Sequence, residues 1–366
     1  MIGGTAGVSP AHEREARKTS RLASSKLLQQ GPCLSLTAIQ IKKIAGARKT
    51  AMPEFVAPQL ATLVREPPPG DEWLHELKFD GYRMVCHLNR GKARFWSRNG
   101  KDWTDKFPNL AAALKTFPAA TAILDGEVVI VDQAGRSSFQ KLQQSMGRGG
   151  NKAPAFVFEI FDLIYLDGYS LTQTPLRDRK AALERLLAGA KVKGALRYSD
   201  HVEGNGKAFF KQACEYGIEG IVSKLAASHY ESTRNRNWLK TKCIKRQEFV
   251  IVGYTPSKND FPGFGSLILG VYEKRKLVYC GRVGTGFSIK QRVELQKKLD
   301  RLSQATMPLA SIPKDPGLRA AHWAKPQLVG EVEFMEWTDD GVIRHPSFQG
   351  LRDDKNPTDI VREEPA

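Results

Sequence analysis

The sequence predicts an α+β protein in two parts, a larger part of mixed strands and helices followed by a small β-barrel. Between Trp73 and Lys242, apolar runs of strand length alternate with helical patterns too irregularly for a series of β-α-β units. Beyond residue 246, five apolar runs and one helical pattern make the inventory of an OB-type barrel. We therefore expect antiparallel sheets with flanking helices and a domain boundary near residue 246.

Three regions follow from this division. Residues 1–50 are rich in Ser, Ala, Gln, Arg and Lys, and we predict a basic extension there that is disordered or loosely helical. The segment Pro67-Pro68-Pro69-Gly70 marks the entry to the first folded domain. The predicted domains are residues 51–246 and residues 247–366.

The elements of both domains are predicted from apolar periodicity. In the first domain we expect strands at 83–88, 93–97, 122–131, 155–165, 218–224 and 236–242, and helices at 106–116, 137–147, 176–188 and 206–216. In the second domain we expect strands at 249–254, 266–272, 277–281, 329–337 and 341–344, and a helix at 288–302.

Composition narrows the class of protein. The chain has 366 residues, 41% of them hydrophobic, which is enough for the cores of roughly two or three domains. The net charge of +17 indicates a polyanionic partner, most often nucleic acid. No apolar run approaches the length of a membrane span, and the N-terminus has no apolar signal core. These features predict a cytoplasmic protein without membrane association.

Neither cysteine nor histidine has the spacing of a metal cluster. The seven histidines lie far apart, which favours structural roles. The cysteines are odd in number and scattered, which argues against a disulfide framework. We interpret all five as buried thiols: Cys33, Cys86, Cys214, Cys243 and Cys280.

The octet from Glu76 to Arg83, Glu-Leu-Lys-Phe-Asp-Gly-Tyr-Arg, concentrates charge in an apolar stretch. Its flanks predict two strands that meet at an Asp80-Gly81 turn, with Lys78 at the end of a buried strand. Desolvation lowers the pKa of a lysine and makes it a better amine nucleophile. In isolation the octet is better explained as a charged hairpin without function, and we interpret Asp80 as structural.

Two carboxylates stand at the start of apolar runs. Glu127 follows the Asp125-Gly126 turn, and Glu219 begins the run Glu-Gly-Ile-Val-Ser-Lys. Beside Lys78 they would suit ribose recognition and Mg²⁺ binding, because Mg²⁺ that keeps its waters needs one or two protein carboxylates. Solvated strand-edge carboxylates are the alternative interpretation.

Cations and an aromatic residue complete the candidates. Lys240 and Lys242 alternate on one strand, so their ammonium groups face the same way and repel unless an anion lies between them. An exposed basic edge strand is the alternative. Arg98, in a Ser-Arg-Asn-Gly turn, suits bidentate phosphate binding. Phe158 offers a face to a purine or packs in the core.

The order and combination of these clusters indicate a family more specifically than any single cluster does. They run Lys-x-Asp-Gly-x-Arg, Ser-Arg-Asn-Gly, Asp-Gly-Glu, Phe-x-x-Phe-Asp, Glu-Gly-Ile-Val-x-Lys and Lys-x-Lys, before the predicted barrel. In this order the chain resembles the ATP-dependent DNA ligases among the covalent nucleotidyltransferases. It is most similar to the ligase module of the bacterial LigD enzymes of non-homologous end joining, over about residues 50–360.

The resemblance implies an adenylation domain followed by an OB-fold, with ATP and Mg²⁺ (or Mn²⁺) as cofactors. Lys78 would attack the α-phosphate to give lysyl-AMP, and neighbouring cations and the metal would favour its free amine. Glu76 would meet the adenine amino group, and Phe158 would stack on the base. Glu219 and Glu127 would hold the metal.

The remaining roles concern ribose and phosphate. Arg83 and Arg98, with Glu127, would hold the ribose and the nearby phosphate, and Lys240 and Lys242 would contact the α-phosphate. Arg352 and Lys355 belong to the last implied motif and would reach the β- and γ-phosphates.

The same resemblance predicts the biological setting. The partner would be nicked or broken duplex DNA, with Ku supplying end binding, and the enzyme would be a stand-alone, nucleoid-associated monomer. The first 50 residues are too short for the polymerase or nuclease modules of LigD enzymes. RNA ligases and mRNA guanylyltransferases use the same lysyl-nucleotide chemistry and are rival interpretations. A DNA-binding module with a decayed catalytic core is the non-enzymatic one.

Overall fold

The computed structural model describes residues 38–365 except 132–136, 138, 146–155, 190–193, 244, 258–261, 312 and 314. These residues belong to one compact unit. In chain order the elements are α1 (Ala38–Lys42), β1 (Arg48–Lys49), β2 (Leu60–Leu63), β3 (Trp73–Leu77), β4 (Tyr82–Asn89), β5 (Lys92–Ser97), α2 (Pro108–Leu114), β6 (Thr121–Val129), α3 (Phe139–Ser145), β7 (Val157–Leu166), β8 (Tyr169–Ser170), α4 (Leu176–Gly189), β9 (Leu196–Tyr198), β10 (His201–Glu203), α5 (Gly206–Glu215), β11 (Gly220–Leu225), β12 (Arg234–Lys242), β13 (Arg246–Pro256), β14 (Phe264–Glu273), β15 (Lys276–Val283), α6 (Ile289–Arg301), β16 (His322–Glu333), β17 (Glu336–Trp337), β18 (Ile343–Arg344) and β19 (Ser347–Leu351).

Two sheets form the larger part of the fold. The first has the strand order β1-β8-β7-β6-β4-β5, and β9 also pairs with β7. The second has the order β10-β3-β11-β12-β2. Most neighbouring strands are antiparallel, as predicted, whereas β9 runs parallel to β7 and β2 runs parallel to β12. The chain passes between the two sheets more than once, for example from β3 to β4 and from β9 to β10.

A third sheet begins at β13 and has the order β15-β14-β13-β16-β19. Helix α6 covers it with Leu295 and Leu299, which are buried in its core. The helix begins after Ser288, whose hydroxyl accepts a hydrogen bond from the Gln291 amide (3.2 Å) in a capping box. The predicted strands at 249–254, 266–272 and 277–281 and the helix at 288–302 correspond to β13, β14, β15 and α6.

Each part has its own apolar core among the described residues. Phe95, Phe107 and Phe158 belong to the core under the first sheet, and Phe249 and Ile268 belong to the core of the third sheet. Strand β12 ends only a few residues before β13 begins. The two cores are therefore joined by a short link, and residues from all three sheets can meet beside it.

Residues 38–50 contain a short helix and a short strand, so the extension is not disordered there, and α1 agrees with the helical alternative. Ile41 of α1 is fully buried in the first core, and β1 pairs Arg48 with Ser170 and Lys49 with Tyr169. An apolar side chain in a basic segment was enough to anchor this stretch, because its burial removes apolar surface from water. The prediction for residues 1–37 lies outside the described residues.

The interpretation of all cysteines as thiols is wrong for Cys214 and Cys243, which form a disulfide with 5.2 Å between their Cα atoms. It links α5 to the residue after β12, two elements that are distant in sequence and adjacent in space. Cys86 and Cys280 are buried free thiols, as predicted. Cys33 lies outside the described residues.

No helix in the described ranges is both long and apolar enough to cross a membrane.

Candidate active site

Lys78 stands where the chain crosses from one sheet to another. Strand β3 pairs with β10 and β11 in the second sheet, whereas β4 pairs with β5 and β6 in the first. The predicted hairpin at Asp80-Gly81 is therefore wrong, because the strands on either side do not pair with each other. The Lys78 amide donates to the Gly220 carbonyl (2.9 Å), which fixes the end of β3. Residues 78–81 bridge the two sheets.

The crossing lines a cleft of about 420 Å³ that receives residues from all three sheets. Its mixture of carboxylates, lysines and arginines suits a ligand that carries both a metal and phosphates. Ten predicted site residues line the cleft: Glu76, Lys78, Arg83, Arg98, Glu127, Glu219, Lys240, Lys242, Arg352 and Lys355.

The Lys78 ammonium forms an ion pair with Glu219, with 2.5 Å between Nζ and Oε1. Burial lowers the pKa of Lys78, but Glu219, Asp80 and Glu127 outweigh burial and raise the pKa above the ordinary lysine value. We expected neighbouring cations and the metal to favour the free amine. The carboxylates around Lys78 oppose this in the chain itself, and the effect of the metal stays a prediction. The lysine is a cation in this state and must lose a proton before it can act as a nucleophile.

Glu127 and Glu219 have the properties of metal ligands. Glu219 Oε2 is buried and has no hydrogen-bond partner among the described residues. Burial raises the pKa of Glu127 to about 8, although Arg83 and Lys78 lower it. In the described part of the chain, no three His, Cys, Asp or Glu side chains are grouped to hold a metal alone. Two such carboxylates fit Mg²⁺, which completes its shell with water and phosphate oxygens.

Lys240 and Lys242 point the same way from β12, as their alternation predicts. Their Nζ atoms lie 2.7 and 2.8 Å from the two carboxylate oxygens of Glu363. The anion expected between them is thus a carboxylate of the same chain. Burial and Lys242 lower the pKa of Lys240 to about 8, and Glu363 opposes this shift. The pair binds an anion that offers two oxygen acceptors, and a phosphate also offers at least two.

Glu76 is buried, and both of its carboxylate oxygens accept hydrogen bonds. Oε1 accepts from Lys180 (2.8 Å), and Oε2 accepts from Lys224 and from the Ser199 hydroxyl, each at 2.9 Å. Burial raises the pKa of Glu76, but the two lysines lower it below its ordinary value. Its role as a base reader stays a prediction, in which an adenine amino group would share oxygens that already have partners.

Arg83 is held rigidly at one wall of the cleft. Its Nε and Nη2 atoms each lie 2.6 Å from a carboxylate oxygen of the fully buried Asp125. Its guanidinium carbon lies 4.3 Å from the centre of the Phe161 ring. Bidentate pairing and stacking together fix the orientation of the guanidinium.

Phe158 lies on the wrong side of β7 for its predicted role. It is fully buried and packs edge-on against Phe95 in the first core, with 5.4 Å between ring centres. Phe161, three residues further, points to the opposite face because side chains alternate along a strand. It lines the cleft, where the Lys224 ammonium lies 4.2 Å from its ring centre. The structure therefore replaces Phe158 with Phe161 as the aromatic candidate.

Arg352 and Lys355 reach the cleft from the segment after β19. Arg352 Nη2 lies 2.8 Å from Asp354, and Lys355 Nζ lies 2.8 Å from Glu248. On the facing side, Asn99, the neighbour of Arg98, donates to the Asp354 carbonyl (2.8 Å). The turn that carries Arg98 and the segment that carries Arg352 are thus in direct contact.

Sequence reasoning missed Arg246 and Glu363. Arg246 Nη1 lies 2.6 Å from Asp80 Oδ2, and Nη2 lies 2.8 Å from Glu333. Asp80, interpreted as a turn residue, therefore also joins the Lys78 segment to β13. No local pattern could indicate either contact, since both pair residues far apart in the sequence.

Comparison with known proteins defines the class. The family model "ATP dependent DNA ligase domain" matches residues 56–242, more than half of the 366 residues, and "ATP dependent DNA ligase C terminal region" matches residues 261–355. Both describe ligases that join DNA with ATP. The chain belongs to the ATP-dependent DNA ligase family.

Two curated relatives that are larger than this chain match most of it. It is 39% identical over 356 residues to the multifunctional non-homologous end joining protein LigD of Pseudomonas aeruginosa, a match that covers 96% of this chain and 42% of the relative. The LigD of Mycolicibacterium smegmatis is 34% identical over 320 residues, covering 86% and 41%. The chain thus spans about two fifths of the length of these relatives.

A solved structure supports the fold directly. The structure of mycobacterial DNA ligase D complexed with ATP and MES matches with a TM-score of 0.64 and 34% identity, over 84% of this chain and 98% of that one. The predicted fold class, an adenylation domain of antiparallel sheets followed by an OB-fold, is confirmed.

Proposed function

We propose that this chain is an ATP-dependent DNA ligase that seals DNA breaks through a covalent lysyl-AMP. The observation that carries the proposal is the cleft, in which Lys78 contacts Glu219 and the Lys240/Lys242 pair binds a two-oxygen anion. Membership of the ligase family supports this proposal. A phosphate anion between the two lysines would make the same bonds that Glu363 makes now.

In the first step, the Lys78 ammonium, which is paired with Glu219 at 2.5 Å, loses a proton to water. The neutral Nζ attacks the α-phosphorus of ATP. A P–N bond forms, the bond from that phosphorus to the bridging oxygen breaks, and pyrophosphate leaves with the electron pair. The products are lysyl-AMP and pyrophosphate.

The other cleft residues bind and orient ATP in this proposal. Lys240 and Lys242 hold the α-phosphate, Arg352 and Lys355 hold the β- and γ-phosphates, and Arg83, Arg98 and Glu127 hold the ribose and nearby phosphate. Lys240, Lys242, Arg352 and Lys355 each pair with a carboxylate of the chain, and the phosphates of ATP would take the place of those carboxylates. Mg²⁺ held by Glu127 and Glu219 would supply further neutralisation of phosphate charge.

Two transfers complete the reaction. A 5′-phosphate oxygen at the DNA break attacks the phosphorus of lysyl-AMP, the P–N bond breaks, and Lys78 leaves as an amine that takes a proton. The 3′-hydroxyl oxygen then attacks the DNA 5′-phosphorus, its proton goes to water, and AMP departs. The net charge of +17 supports a polyanionic substrate.

We also propose that the ligase works in non-homologous end joining, as the names of its LigD relatives suggest for those proteins. Recruitment by Ku, a monomeric state and association with the bacterial nucleoid belong to this proposal. They derive from resemblance to larger proteins.

Labelling with ATP or GTP, followed by chase onto nicked substrates, tests the function. We expect transfer of label from ATP to the protein, and sealing of a nicked DNA duplex only with Mg²⁺ or Mn²⁺ present. Labelling by GTP alone would indicate an mRNA guanylyltransferase, and sealing confined to RNA would indicate an RNA ligase. A protein that binds DNA but takes no label would be a decayed module.

Phe161→Leu and Phe158→Leu test which aromatic residue stacks on the base. We expect Phe161→Leu to raise the KM for ATP in the labelling step by about tenfold, because loss of base stacking costs about 1–3 kcal/mol. Phe158→Leu removes a core ring and should lower stability while leaving that KM unchanged in the folded protein. The opposite pattern, with KM sensitive to residue 158 and not to 161, would restore the original prediction.

A further inference from the structure

The segment after Asp359, residues 360–364, is anchored on the OB-fold. Ile360 is buried and its carbonyl accepts from the Tyr272 amide (2.7 Å). The Gln247 side chain then binds the segment twice: Nε2 donates to the Val361 carbonyl (3.1 Å), and Oε1 accepts from the Glu363 amide (2.9 Å). We call residues 360–364 the tail segment. Its backbone is thus positioned by specific bonds to the barrel.

From this anchor, Glu363 crosses to the adenylation domain. One carboxylate oxygen lies 2.7 Å from Lys240 Nζ and the other 2.8 Å from Lys242 Nζ. Both lysines are mostly buried, with side chains 15% and 11% exposed. One carboxylate therefore pairs with two desolvated ammonium groups, and its negative charge offsets the repulsion between them.

The charges make this contact persistent near neutral pH. Burial raises the pKa of Glu363, but Lys240 and Lys242 outweigh it and lower the pKa to about 2. Glu363 is therefore fully ionised wherever the enzyme would work. An incoming phosphate must displace a charged group that is already hydrogen-bonded twice.

We propose that Glu363 is a built-in competitor for the α-phosphate of the nucleotide, so that the tail segment must leave the Lys240/Lys242 pair before the nucleotide binds. This inference rests on the proposed function of the cleft. Through this contact the tail segment joins the barrel to the adenylation domain, and displacement of Glu363 by a phosphate releases it. Only the molecules whose tail segment has left the lysines can bind phosphate. The apparent affinity is therefore the intrinsic affinity multiplied by the fraction of such molecules.

Glu363→Gln tests the proposal, with Glu294→Gln as the control. The amide keeps the shape of Glu363 and removes the charge that holds the lysines, whereas Glu294 lies outside the cleft lining, is 61% exposed and pairs with Lys290 at 3.8 Å. The probe is AMP, which carries the α-phosphate but has no pyrophosphate to lose and so cannot label Lys78. We measure the Kd for AMP by calorimetry.

We expect Glu363→Gln to bind AMP on the order of tenfold more tightly than the wild-type protein, since most molecules would then be competent to bind. Glu294→Gln should match the wild-type Kd. Unchanged or weaker AMP binding by Glu363→Gln, with an unchanged thermal melting curve, would overturn the proposal. If Glu363→Gln tightens AMP binding but the wild-type protein takes no label from ATP, the proposed ligase function fails and the competitor role stands.

Discussion

Replacing Lys78 with arginine is expected to lower transfer of AMP from ATP to the protein by more than about 10³-fold, the scale of losing a covalent nucleophile. In the wild-type protein Lys78 and Glu219 form an ion pair at 2.5 Å. Arginine keeps the positive charge and can form an ion pair with Glu219 in its place. Its guanidinium stays protonated at any working pH and cannot act as an amine nucleophile. The measurement is covalent label from α-labelled ATP after denaturation.

Lys207→Arg serves as the control for this substitution. Lys207 is 72% exposed and pairs with Glu66, which is 69% exposed, and neither residue lines the cleft. Labelling of this variant should equal that of the wild-type protein. Covalent AMP retained by Lys78→Arg at wild-type levels would mean that another residue is the nucleophile.

Arg179→Met is expected to lower the free energy of unfolding by about 3–5 kcal/mol, because it leaves a buried carboxylate without its cation. Arg179 and Asp162 are both fully buried, and their atoms are joined at 2.7 and 2.8 Å. Arg179 also donates to the Thr174 and Ser228 carbonyls, at 2.6 and 3.1 Å. Asp162 follows Phe161, so this network supports the strand that carries the aromatic candidate.

The neighbouring Arg177 gives a matched control on the same helix. It pairs with Glu203 at 3.4 Å, and both side chains are more than half exposed. Exposed pairs of this kind contribute about 0–1 kcal/mol, so Arg177→Met should have little effect on urea unfolding. If the two variants lost the same free energy of unfolding, burial of the Arg179–Asp162 pair would not be the cause of the loss in Arg179→Met.

Much of the cleft could be predicted because its residues lie in short, local patterns. The alternation of Lys240 and Lys242 depends only on the period of a strand, and the structure places both ammonium groups on one anion. Glu219 stands directly before β11, as predicted, whereas the predicted Asp125-Gly126 turn is wrong, because both residues and Glu127 lie within β6.

The remainder depends on pairing between distant segments. Strands β3 and β4 look like a hairpin because apolar runs flank Asp80-Gly81, yet each finds its partners in a different sheet. The choice between Phe158 and Phe161 depends on which face of β7 meets the core. The disulfide and the Glu363 contact likewise join residues that no local pattern relates.

The most direct test of the account is peptide mapping of the wild-type protein after incubation with ATP and Mg²⁺. The account predicts one adenylyl group, attached to the peptide that contains Lys78, and loss of that group when nicked DNA with a 5′-phosphate is added and sealed. An adduct on Lys224, Lys240 or Lys242, or no adduct at all, would contradict it.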